Sequence, residues 1–442
     1  MLQPRRFLLL ILPVALLLGV GFLTVQSPAL VLWQPIRPLV MESDDWGLAG
    51  FVPVDTVWAG VNREELAPGK FPAVYWESTL EDAAMVAGVC RIMANHIGAD
   101  GLPAVFQPNY VLSSLSYEQE DGAEVWKRYD LPALPPMYSR PGMWPQVFQG
   151  MADGLWYPEL HAIWHYDPQQ RLDRGLSSEL ARRLTRQGVS LFPGSEAARE
   201  FGLARSLDVL TRDLDTGLVV FERLFGRPPA SIIAPDYVWY GALERLWLSR
   251  DLACIQAKRE QRNPKLPPGK LGRGLKFVDR QLARILNRDR VYLERNCRLE
   301  PVQSPDPVGV VTRCVADAVK AWEQGQPAIV EVHRVNLAHT DPEVVRLGQR
   351  SLEDFLTRLA AIGPAPTYLS DTEVAQLQTR GVSAVRRGRN LVLRNGTHSR
   401  RLVMAPAGVA GETRLFALEA ESVHVVPWGP DGNSGGIGTV CQ

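Results

Sequence analysis

Met41-Glu42-Ser43-Asp44-Asp45-Trp46-Gly47 is the stretch on which the reading of the fold turns. Two adjacent acids follow a short apolar run, Pro38-Leu39-Val40-Met41, and Trp46-Gly47 breaks the chain just after them. Successive side chains on a strand point to opposite faces. Asp44 and Asp45 can therefore reach one site only where a strand ends and turns. In α/β proteins that end of the sheet is where chemistry is placed. Taken alone, the stretch also fits an acidic turn capping a helix.

Composition narrows the choice. At 442 residues the chain has room for one barrel-sized domain with extensions. Its formal net charge is zero, which offers no whole-molecule attraction to nucleic acid. Twelve Trp and eleven Tyr are many, and such rings serve either cores or sugar-binding platforms. Cys90, Cys254, Cys297, Cys314 and Cys441 include no CxxC pair, which speaks against a thiolate zinc site. Cys297 and Cys314 can pair if the protein is exported.

Residues 1–30 open with Arg5-Arg6 and continue uncharged from Phe7 to Val25. A bilayer needs ~20 apolar residues, and the leading arginines orient the remainder outward. The expectation is a signal anchor, or a cleaved signal peptide with Ser27 and Ala29 near the cut. Either places the protein outside the cytoplasm, in the periplasm or at the cell surface. Apolar periodicity predicts a helix over 76–97 with a capping box at Ser78 and Glu81. Buried strands are expected at 103–108, 230–234, 327–333 and 367–370. Further helices are expected at 178–188, 194–201, 205–226, 239–251, 308–324 and 350–362. A long loop or insertion occupies roughly 100–146. The segment 258–298 carries thirteen Lys or Arg and reads as a solvated basic stretch or a contact for an acidic polymer or lipid heads. Helices alternating with short strands over 31–375 argue a parallel α/β barrel, and 376–442 reads as a small β-rich appendage.

His161-Ala-Ile-Trp-His165 sets two imidazoles at i and i+4, one face of a helix and a grip for one metal ion. Two histidines and a carboxylate leave a coordination position open. One acid of the Asp pair can be that third ligand while the other serves as general base, which gives adjacent carboxylates a use. His333 ends a strand, and Glu331, two residues earlier, shares its face and can orient it. Pro235-Asp236-Tyr237 follows another strand, where a backbone N–H can face an oxyanion.

In this order the pieces resemble the polysaccharide deacetylase family, over roughly residues 36–375. That resemblance implies a distorted (β/α) barrel of NodB type, usually with seven strands, and a divalent cofactor, most often zinc. It implies Asp44 as base, Asp45, His161 and His165 as metal ligands, the Tyr237 N–H at the oxyanion, and His333 as general acid. Phe225-Gly226-Arg227-Pro228-Pro229 matches the approach to the Tyr turn. The chain departs from the pattern at Ala234, where the family has an Arg that orients the base, and at Trp46, where it has Gly. The Asp-x-x-Asp-Trp motif that tunes the late histidine has no match, and Glu331 is the nearest substitute. The reading is a membrane-anchored hydrolase removing acetyl groups from a surface or capsular polysaccharide, with Trp46, Trp164 and Trp239 as candidate sugar-binding rings. Two alternatives stand beside it. One is a glycoside hydrolase using Asp44 and Glu331, which requires carboxylates ~5–9.5 Å apart. The other is a non-catalytic glycan-binding protein.

Overall fold

The structure is a computed structural model that describes residues 31–54, 73–177, 179–189, 200–258, 261–267, 290–406 and 413–428, with scattered positions at 269–278 and 438–441. The expected anchor at 1–30, most of the helix expected at 194–201 and much of the basic segment lie outside these residues. Among the described residues no helix is long and apolar enough to cross a membrane.

Among the described residues nine strands form one sheet: β1 (Pro38–Trp46), β2 (Phe106–Tyr110), β3 (Glu159–Leu160), β4 (Ser231–Ile232), β5 (Cys254–Ala257), β6 (Val291–Glu294), β7 (Cys297–Arg298), β8 (Ala328–His333) and β9 (Thr367–Tyr368). Every pairing is parallel, in the order β6-β5-β4-β3-β2-β1-β8-β7, and β9 adds to the start of β1. The ends of this path, β6 and β7, are separated in sequence only by Arg295-Asn296. Arg295 donates its backbone N–H to Ala257 at one edge, and Asn296 donates to Ile329 at the other. The sheet thus curls until its edges meet at one dipeptide. The architecture is the parallel barrel-like sheet expected, with more and shorter strands.

Parallel strands are buried on both faces, and β1 shows why its sequence suits that place. Leu39 and Met41 pack outward in the main core, while Val40 points inward. Inside the curl, Val40, Cys254, Val291, Leu293 and Ile329 meet Val374 and Leu377 of the helix Asp371–Arg380 in an apolar plug. With a side-chain period of two, Glu42 and Asp44, Gln256, Arg295, Glu331 and His333 then rise above the plug on the same inner face. Local sequence thus stacks an apolar floor, a polar layer and the strand ends that carry chemistry.

Several elements differ from expectation. The first long helix is Ala83–Asn95, capped by Asp82, whose carboxylate accepts from the Met85 N–H. Ser78 and Glu81 form no capping box. Glu81 is buried and takes the Gly47 N–H and the Arg334 guanidinium, each at 3.0 Å. Residues expected as loop form a hairpin, Ser113–Glu120 with Ala123–Asp130, and a helix, Met143–Ala152. The helix Leu207–Phe225 runs from its Ser206 cap to Gly226 in the left-handed region, as its composition predicts.

The C-terminal residues form antiparallel strands Val382–Arg387, Asn390–Asn395 and Ser422–Pro427, and a separate hairpin, Arg401–Pro406 with Thr413–Leu418. They sit at the end of the barrel where the strands begin. Arg387 donates to the carbonyls of Tyr368 and Pro103, and buried Arg394 bridges Asp100 and Glu373.

In the helix Pro342–Ile362, Gly348 lies so close to the Asn336 carbonyl that an added Cβ would stand 1.6 Å from it. Backbone cannot yield as a side chain does, so Gly348→Ala should cost about 1–3 kcal/mol by overpacking, read as a lower midpoint in thermal or urea unfolding. Unchanged stability would show that the helix can slide away from this contact.

Candidate active site

At the end of β1 the backbone turns: Asp45 has φ +73, in the left-handed region. This reversal lets two adjacent acids face one space, which extended backbone forbids. Asp45 Oδ1 lies 3.2 Å from His161 Nε2 and 3.1 Å from His165 Nε2. The two imidazoles stand nearly perpendicular, with centroids 4.9 Å apart. Tetrahedral ligands ~2.0–2.1 Å from an ion are about 3.3 Å from one another. One carboxylate and two imidazoles at these spacings fit a divalent cation of the zinc type with a position open. His161 Nδ1 faces the Ile233 carbonyl at 3.3 Å, which leaves Nε2 for the ion.

The histidine pair does not lie on a helix. It follows the short strand β3 in a turn with Ala162 at φ +58 and His165 at φ +68. Buried Glu200 holds this turn. Its carboxylate accepts the N–H groups of Ile163, Trp164 and His165, the last two at 2.7 Å. Burial pushes the Glu200 carboxyl up to about 7, against the pull of Arg205 and the three N–H groups. Nothing in the sequence around Glu200 signals this role.

Asp44 is buried and gripped by Arg295, with Nη1 at 2.6 Å and Nη2 at 2.7 Å from its two oxygens. The same guanidinium donates to Glu42 at 2.5 Å, to the Tyr237 hydroxyl at 3.0 Å and to Gln256 at 3.0 Å. All five N–H donors are used. Asn109 adds a donor to Asp44 at 2.8 Å. Burial alone would raise the Asp44 carboxyl, but the charge and hydrogen bonds of Arg295 hold it well below the usual range. An orienting arginine is thus present, supplied from the barrel seam rather than from position 234. Ala234 is simply buried.

His333 sits beside Asp44 in the strand register, its Nε2 3.9 Å from Asp44 Oδ2. Its Nδ1 lies 2.5 Å from Glu300, which also accepts the His333 N–H and the Asn336 amide. Burial disfavours the charged ring, yet Glu300, with Asp45 and Asp44, outweighs it and raises His333 to about 10. Glu331 does not do this work. It shares the inner face with His333 one step lower and engages Lys258 at 2.9 Å and the Tyr237 hydroxyl at 3.1 Å.

Two other expectations are corrected. The Tyr237 N–H is spent on the Ala234 carbonyl at 2.9 Å, inside a tight turn with Asp236 and Tyr237 both at positive φ. Its hydroxyl, not its N–H, meets the site, accepting from Arg295 and donating to Glu331. Trp46, Trp164 and Trp239 are buried and present no face to a sugar. Their indole N–H groups donate to Ser43, Asp213 and Glu244, so each acts as a wall of the core with a satisfied polar edge.

Glu300→Gln should lower the His333 pKa toward the ordinary ~6.5. With His333 acting as an acid, activity is present below its pKa and lost above it. The variant's alkaline limb should therefore move to lower pH in a kcat–pH profile; an unmoved limb would remove His333 from that role. Glu200→Ala should release the histidine turn and weaken metal binding about 10–100-fold, measured by metal titration of the purified protein.

No family model matches the chain, and no curated protein matches it. A solved structure from Mycobacterium smegmatis, provisionally described as a polysaccharide deacetylase, aligns over 80% of this chain and 92% of its own, at 11% identity and a TM-score of 0.38. The chain is similar to that protein at this low level of identity and superposition, and the likeness bears no weight in assigning chemistry.

Proposed function

We propose that the protein is a metal-dependent hydrolase that removes acetyl groups from a polysaccharide outside the cytoplasm. The observation that carries this reading is the division of labour at one barrel end. A two-histidine, one-carboxylate cluster lies beside Asp44, held by Arg295, and His333, held by Glu300.

A divalent cation held by Asp45, His161 and His165 would supply Lewis acidity toward the acetyl carbonyl and acidify a water. Asp44, kept ionised by Arg295, accepts the proton of the attacking water. Arg295 and Asn109 fix the direction of its oxygens, so the base is oriented before substrate arrives. His333 gives its proton to the departing amine or alcohol, and Glu300 stabilises the charged ring until then. Base and acid thus have pKa values pushed in opposite directions, the arrangement that acid–base pairs require.

The glycosidase alternative is less well supported. It needs one carboxyl held protonated at neutral pH. Glu331 is instead lowered, since Arg295, His333 and Lys258 outweigh its burial, and Asp44 is lowered further.

Acetate release from N-acetylated oligosaccharides and O-acetylated polymers should cease on chelation and return with zinc. Asp45→Asn should lose both metal and activity. Asp44→Asn should keep the metal while kcat falls about 10²–10⁴-fold. Acetate release that survives full chelation, or glycosidic cleavage in its place, would overturn the assignment.

A further inference from the structure

The hairpin Arg401–Pro406 with Thr413–Leu418 has two unlike faces. Val403, Ala405, Phe416 and Leu418 pack inward with Leu391, Leu393 and Val426. The register pairs Leu402 with Ala417, Met404 with Leu415 and Pro406 with Thr413 on the other face. All six of these residues are exposed and none is charged. Leu402, Met404 and Leu415 are 66%, 71% and 62% exposed, among the most exposed large apolar residues described. A solvated sheet face is ordinarily polar, and a continuous apolar one marks a surface that is covered.

The position of this face indicates its occupant. The C-terminal strands stand at the barrel end where β1 begins, opposite the catalytic end. Val31, where the described chain starts, packs against Gly396, so closely that a Cβ there would meet its methyls at 2.9 Å. The uncharged run Phe7–Val25, of membrane-spanning length, lies just upstream. Arg400, Arg401 and Arg414 are exposed at the hairpin, and Arg400 is paired with Glu419. Arginines bordering an apolar face suit anionic lipid heads.

We propose that the Leu402–Met404–Leu415 face docks on the surface of the bilayer in which residues 1–30 are anchored, so that the strand-end site faces away from the membrane. The choice of occupant rests on the anchor reading; the unpartnered face does not.

The full chain, carrying Cys441→Ser so that the native thiols left are buried, is reconstituted into phosphatidylcholine–phosphatidylglycerol vesicles. An environment-sensitive thiol probe is placed at Met404→Cys, Leu415→Cys or, as a control at the catalytic end, Val308→Cys. Doxyl-labelled lipid should quench the 404 and 415 probes roughly threefold more than the 308 probe, as interfacial burial requires. Leu402→Asp with Leu415→Asp should bring the 404 probe to the control level with acetate release unchanged. Vesicle flotation with equal quenching at 404 and 308 would overturn the docking and spare the anchor. Oxidative crosslinking of two copies through position 404, without lipid quenching, would assign the face to a second copy and overturn it equally. A chain that does not float with vesicles overturns both.

Discussion

One guanidinium holds the interior of this barrel together. Arg295 is buried among Glu42, Asp44, Tyr237 and Gln256, and it spends every donor it has. A buried charge left unpaired costs several kcal/mol, roughly 3–5 when one partner of a pair is removed. The acids of β1 are therefore tolerable inside the sheet only because Arg295 is there, and Arg295 only because of them. Around this centre the polar layer is ordered. The side-chain amides of Asn109 and Gln256 each donate a hydrogen bond to the other, Ser231 accepts from Gln256, and Gln107 donates to Asp371. What stands above the layer, Asp44, Asp45 and His333, inherits its rigidity.

The electrostatics follow from which neighbours burial brings. Glu42, Asp44 and Glu331 rise from adjacent strands, yet their carboxyls move in different directions. Glu42 is pushed up by burial and by Asp371, while Asp44 is drawn down by sharing both oxygens with Arg295. Glu331, lowered more mildly, keeps Lys258 in place at the rim. Arg295 draws all three carboxyls down, and only at Glu42 do burial and Asp371 outweigh it. The same logic raises His333, since Glu300 comes from a neighbouring turn and not from the histidine's own strand.

The residues legible in the sequence were those whose partners lie within a few positions. Asp44 with Asp45, His161 with His165, and His333 at a strand end are short patterns, and the structure brings all five together. The alternation of strands and helices was legible for the same reason, since periodicity is local. The helix expected for the histidine pair failed because i,i+4 spacing also suits a tight turn, and a carboxylate 35 residues away from His165 holds this one. Arg295, Glu200 and Glu300 were illegible, since each acts across tertiary distance from a stretch without pattern. Glu331 reads as the partner of His333 because strand period fixes the face of a side chain but not its height. The tryptophans misled in a simpler way: abundance says nothing about which side of a wall a ring lies on.

The barrel seam carries a consequence for the order of events during folding. The backbone of Arg295 closes one edge of the sheet, and Asn296, next to it, closes the other. The side chain of Arg295 is what orients and ionises Asp44. Shutting the sheet and fixing the direction of the Asp44 oxygens thus depend on one residue. A chain with its strands paired but its seam still open would present Asp45, His161 and His165 and yet leave Asp44 without its guanidinium partner. The candidate site therefore cannot be complete before the seam is shut.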